Sequence, residues 1–189
     1  MSSERFIFSN AILTEDEKKH NAAIIFRFFR FLGWTKNAIA GMVGNMDAES
    51  YLNPGVWEML EQGVMWRGFG LTQWTPATKL TDWADITYGI DSWRNDGYIQ
   101  LQRIAWEWRT LSQFAQSEQY PFYFDTYAKL ELSPEEMGIC FLLNYERPAI
   151  QDEGAQQARA ALARKWYDYF DTLQDVKPFP LWLLFKFRR

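Results

Sequence analysis

From residue 14 to residue 55 the chain is punctuated in a way that calls for helices joined by short links. Thr14-Glu15-Asp16-Glu17 places a threonine at a helix N-cap and a glutamate three residues on, the reciprocal pairing of a capping box. Ala22, Ile25, Phe26, Phe29 and Leu32 supply the buried stripe behind it, Lys18, Arg27 and Arg30 take the wet side, and Gly33 closes the helix in a left-handed turn. Thr35 then caps a second helix, from Lys36 to about Ser50. That helix must end there, because Asn53 precedes a proline and Pro54-Gly55 is a turn signal.

The second helix carries the most informative side chain. Ile39, Met42, Val43 and Met46 follow the spacing of one helical face, and Glu49 is the next position on the same stripe. A carboxyl held against apolar packing has its charged form disfavoured, so its pKa should rise towards the range of a general acid at neutral pH. Asp47 lies about 200° away on the helical wheel and is expected to face water. Gly41 and Gly44 each cost the helix about 1 kcal/mol relative to alanine. That cost points to close approach by another helix backbone or by a substrate.

Residues 56–74 break the helical period. Gly63, Gly68 and Gly70 alternate with Trp57, Trp66, Phe69 and Trp74, and residues 66–74 predict a small β-hairpin. Thr75 and Pro76 are expected at the N-cap and first position of a third helix running through Leu80 and Trp83. Tyr98, Leu101, Ile104, Ala105, Trp108 and Leu111 predict a long amphipathic helix, the candidate for the centre of the fold. Ser133-Pro134-Glu135-Glu136 is a second capping box, opening a helix on Met137, Cys140, Phe141 and Tyr145 that Pro148 ends. Asn144 falls on the same face, so two polar tips need partners there. A last helix is predicted from about Asp152 to Leu173, with Ala158, Leu162, Trp166 and Phe170 inward.

At 189 residues the chain is long enough for one domain that buries roughly two-thirds of its unfolded surface. The expected division is a domain over residues 1–175 and an apolar tail over 176–189, rich in aromatic and aliphatic residues and ending in cations. The tail could fold back, dock on a partner protein or lie at a membrane surface. One cysteine, Cys140, excludes an internal disulfide and a cysteine-based zinc cluster, and one histidine, His20, leaves little for histidine metal sites or a shared histidine base. No metal or cofactor is expected, and the chemistry should be that of carboxylates. A net charge of -4 argues against nucleic acid as a partner. Nothing reaches the roughly 20 apolar residues of a membrane span. Residues 1–6 lack the pattern of a secretory signal, so delivery to a target beyond a membrane would need another agent.

Glu49-Ser50, followed by Gly70-Leu71-Thr72-Gln73-Trp74-Thr75-Pro76-Ala77-Thr78, resembles the goose-type lysozyme and lytic transglycosylase pattern of the lysozyme superfamily. Residues 37–46 together with Glu49-Ser50, Asn53-Pro54-Gly55 and Tyr145-Glu146-Arg147-Pro148 are similar to the phage tail lysozyme family, a resemblance extending over about residues 20 to 172. It implies a mainly α, α+β lysozyme-like fold in which a small β-hairpin lines an active-site cleft. It implies Glu49 as the catalytic acid, and Gly70, Gln73, Trp74, Asn144 and Tyr145 as the substrate-binding set. The implied substrate is peptidoglycan and the implied location the phage tail, where the apolar C-terminal tail could dock on other virion tail proteins. Asn144 precedes Tyr145 here, whereas the transglycosylase motif has tyrosine first and a glycine after. The candidates for a second carboxylate are Asp47, Glu58, Glu61, Asp82, Asp85 and Glu146. Their separation from Glu49 would decide between retaining and inverting chemistry, and substrate assistance, as in a transglycosylase, is the remaining course.

Overall fold

A computed structural model describes residues 4–173; the tail over 176–189 lies outside the described residues. Among these residues the chain is mainly helical, with seven α-helices: α1 (Glu15–Phe31), α2 (Lys36–Ser50), α3 (Thr78–Tyr88), α4 (Gly97–Thr110), α5 (Phe124–Tyr127), α6 (Pro134–Phe141) and α7 (Glu153–Asp171). Both capping boxes form, at Thr14 with Glu17 and at Ser133 with Glu136. Thr35 caps α2 through Ala38 N–H. No helix is long and apolar enough to cross a membrane among the described residues.

The centre of the fold is α2, not the more clearly amphipathic α4. Every residue from Ala38 to Asp47 is buried, so α2 is a core helix enclosed on nearly all sides. Its two glycines serve helix packing. A Cβ on Gly41 would lie 2.5 Å from the Met137 carbonyl carbon of α6, and one on Gly44 would lie 2.6 Å from the Ala163 amide nitrogen of α7. The three helices thus meet at backbone distance, and Asn45 seals the junction by donating to the carbonyls of Gly41 and Gly138.

That enclosure overturns the wet position expected for Asp47. It is buried, accepting from Lys18 Nζ at 2.7 Å, Lys165 Nζ at 3.2 Å and Trp166 Nε1 at 3.1 Å. A polar residue need not face water when two cations and an indole N–H reach it. On α7 the inward residues are Ala163, Trp166 and Phe170, while Ala158 is exposed and Leu162 half-buried. The inward position one turn before Ala163 belongs to Arg159, which the apolar pattern passed over.

The expected β-hairpin is absent. Residues 56–74 form only two isolated antiparallel bridges, Trp57 with Phe69 and Phe69 with Trp74, and no strand exists among the described residues. Side chains hold this loop where a ladder would otherwise do so: Gln100 accepts from Leu71 N–H and donates to the Pro54 carbonyl, and Glu58 accepts from Gly68 N–H. The third helix begins later than expected, with Ala77 at its N-cap. Thr75 is not a cap because its hydroxyl donates to the Gln73 carbonyl, and the bond from Thr75 to Pro76 is cis.

Candidate active site

The last turn of α2 sets the position of Glu49. Ser50, beside it, donates from its hydroxyl to the Leu71 carbonyl at 2.8 Å, tying the helix end to the loop over residues 66–74. Tyr51 and Leu52 then both adopt positive φ, at 55° and 57°, turning the chain sharply away. Two successive left-handed non-glycine residues cost on the order of 1–3 kcal/mol each. They persist because Leu52 is fully buried and Asn21 takes its carbonyl.

Glu49 opens onto a pocket of about 890 Å³. Its walls come from the end of α2 (Glu49, Tyr51), the loop after it (Val56 to Leu60), the 72–75 segment, and Gln113 and Glu146. Gln73 and Trp74 therefore share one open space with Glu49. The apolar surround expected for Glu49 is replaced by an ion pair: Arg159 Nη2 of α7 donates to Glu49 Oε1 at 2.5 Å, while Arg159 Nε donates to Asn45 Oδ1, one turn back on α2. The rigid guanidinium fork thus spans positions 45 and 49 of one helix face.

The other residues of the expected binding set lie behind the wall. Gly70, at φ 82°, has no room for a side chain, because a Cβ there would meet Gln100 Oε1 at 2.6 Å; it lets the loop close. Tyr145 is buried and donates its hydroxyl to Glu107 Oε2 at 2.5 Å. Asn144 is buried and donates to the Tyr120 carbonyl. Neither lines the pocket. Gln73 reaches it, but its amide nitrogen is engaged with the Gly70 and Val56 carbonyls, so it also braces the loop.

Glu107 of α4, which the sequence analysis did not single out, is fully buried behind Trp74. It accepts from Trp74 Nε1 at 3.1 Å, Tyr145 and Arg103 Nε at 2.8 Å. Trp74, with its ring in the pocket wall, is therefore oriented by a buried carboxyl. An acidic residue at an inward position of an amphipathic helix was the available signal. Arg159 had the same kind of signal, one turn before Ala163.

Of the six candidates for a second carboxylate, four are held elsewhere. Asp47 is buried among its cations, Glu61 pairs with Arg67, Asp82 takes the Thr81 hydroxyl and Asp85 accepts from Asp91 N–H. Glu58 lines the pocket but is committed to Gly68 N–H. Glu146 also lines it, and its Oε1 is buried with no hydrogen-bond partner. It stands at the end of a π-helical turn, Leu142–Glu146, closed by Arg147 N–H to the Leu142 carbonyl. Such turns re-aim side chains at functional positions.

Burial raises the pKa of both Glu107 and Glu146 above the ordinary carboxylate range, opposed at Glu107 first by Arg103 and reinforced at Glu146 by the charge of Glu49. The unfolded chain releases these protons at about pH 4.3, whereas the native state retains them to higher pH. Above that point the native state binds more protons, so stability must fall as pH rises, until the native carboxyls have also ionised. Glu17 and Glu135, whose pKa values are lowered by Thr14 and Arg164, act only below the same pH. A series of urea midpoints across the weakly acid to neutral range should therefore decline with pH; a rise would contradict the burial of these two groups.

Residues 20–170 match the model of a family described as phage tail lysozyme. The chain is also 41% identical over 162 residues to Morphogenesis protein 1 of Bacillus phage B103, an alignment that covers 86% of this chain and 42% of that protein. The chain thus spans less than half the length of that relative.

Proposed function

Because the chain belongs to the phage tail lysozyme family, we propose that it is a virion-associated glycosidase that opens bacterial peptidoglycan. The bond cleaved is that joining N-acetylmuramic acid to N-acetylglucosamine. The observation that supports this most is the meeting of Glu49 with Gln73 and Trp74 on one open pocket, drawn from two segments more than twenty residues apart. In this reading the pocket is the active-site cleft and Glu49 its general acid, protonating the glycosidic oxygen while positive charge develops at C1. Tyr51, Met59 and Leu60 offer exposed apolar surface in the pocket wall to the sugar rings. Arg159 holds the Glu49 carboxyl in position at the pocket edge.

Digestion of purified peptidoglycan, with mass spectrometry of the fragments, tests the reaction. Hydrolysis is expected, giving reducing N-acetylmuramic acid ends, each heavier by one water than the anhydro end of a lytic transglycosylase. Anhydro ends would transfer the same site to transglycosylase chemistry. Binding without fragment release would make the chain a glycan-binding tail component and overturn the enzymatic reading.

A further inference from the structure

Glu146 is a pocket carboxyl placed unlike its neighbour. Glu49 has a cation within hydrogen-bonding distance, whereas Glu146 Oε1 is buried without a donor. A buried carboxylate oxygen left in that state is destabilising, and a carboxyl that keeps its proton avoids the cost. The charged and titratable groups that face it come from each surrounding element. They are Glu49 from α2 and Glu107 from α4, which are acidic, and Arg159 from α7, already engaged with Glu49 and Asn45. Tyr145, on its own turn, gives its hydroxyl to Glu107. Arg159 favours the ionised form of Glu146 less than burial and the charge of Glu49 oppose it, and no donor reaches Glu146 Oε1.

We propose that Glu146 is the second catalytic carboxyl of this site and holds, at rest, the single proton that it shares with Glu49. The inference rests on the glycosidase reading and supplies what that reading lacks, a second carboxyl in the pocket. During cleavage the pair gives one proton to the glycosidic oxygen as the C1–O bond breaks, and that oxygen leaves as a sugar hydroxyl. Water forms the new C1–O bond and returns one proton to the pair. Glu49 makes the delivery and Glu146 reloads it, so titration belongs to the pair and to neither residue alone.

The test is the pH dependence of kcat and KM on soluble, uncrosslinked peptidoglycan strands for wild type, Glu146→Gln and Glu146→Asp. Glutamine matches the neutral carboxyl in size, so the fold should hold. It should lower kcat about 10²-fold near neutrality with KM within about threefold. Its alkaline limb should move, because one member of the titrating pair is gone. Aspartate retains a carboxyl and should recover part of kcat, which a packing defect would not allow. A Glu146→Gln rate within threefold of wild type, or a loss with an unmoved pH limb, overturns the proposal while leaving the glycosidase reading intact. Wild type that releases no fragments overturns both. Urea midpoints give a readout independent of activity: Glu146→Gln should flatten the decline of stability with pH, and an unchanged slope would show that Glu146 is not the proton holder.

Discussion

Glu49→Gln is expected to lower the rate of cell-wall cleavage by about 10³- to 10⁴-fold, towards the upper range for loss of a positioned general acid. The substitution keeps the shape of the side chain and one carbonyl oxygen for Arg159 Nη2, so the end of α2 should keep its place between Asn45 and the Leu71 carbonyl. What it removes is the transferable proton. Because Glu146 remains in the pocket, the residual rate reads how far the second carboxyl can act alone. Turbidity loss and fragment release from purified walls measure the effect at equal folded concentration. Activity equal to wild type would remove Glu49 as the acid. Retained binding to insoluble peptidoglycan, with cleavage lost, would separate chemistry from recognition.

Asp47→Ala should produce the largest loss of stability among the polar residues of α2, about 3 kcal/mol, at the lower edge of the range for breaking a buried ion pair. Lys18 is nearly buried against Asp47 and Trp166 Nε1 is fully enclosed, so neither can simply turn to water when the carboxylate goes. Lys165 is more exposed and retains Glu15 as a partner at 2.5 Å, so its bond to Asp47 adds little to the expected loss. For a domain of this size the thermal midpoint should fall by roughly 6–12 °C. Cleavage per folded molecule should stay the same, since Asp47 does not line the pocket. A loss below about 1 kcal/mol would mean that α1, α2 and α7 are held together by apolar contact alone.

The contrast between these neighbours, two positions apart on one helix, shows where sequence reasoning reaches its limit. A wheel built on Ile39, Met42, Val43 and Met46 assigns Asp47 to water because it assumes one wet face. That assumption fails when α6 and α7 close over the helix at Gly41 and Gly44. The same wheel aligns Glu49 with the apolar stripe, but the helix ends there and Arg159 fills the space beside it. Tyr145 and Asn144 were identified as inward polar residues in need of partners, and they are. The partners are Glu107 and the Tyr120 carbonyl, because the helical path widens into a π turn that no period of 3.6 anticipates.

The sequence by itself determined the bounds of α1 and α2 and the start of α6, since caps, capping boxes and glycine stops act through atoms only a few residues apart. It pointed as well to carboxylates as the candidate acids, because the chain has one histidine and one cysteine. Tertiary structure decided which carboxylates face the same space and which cation accompanies each. Arg159 lies 110 residues from Glu49, and Tyr145 lies 38 from Glu107. Such pairings follow from which helix faces are forced together by close packing, and local periodicity carries no record of a partner supplied from another part of the chain.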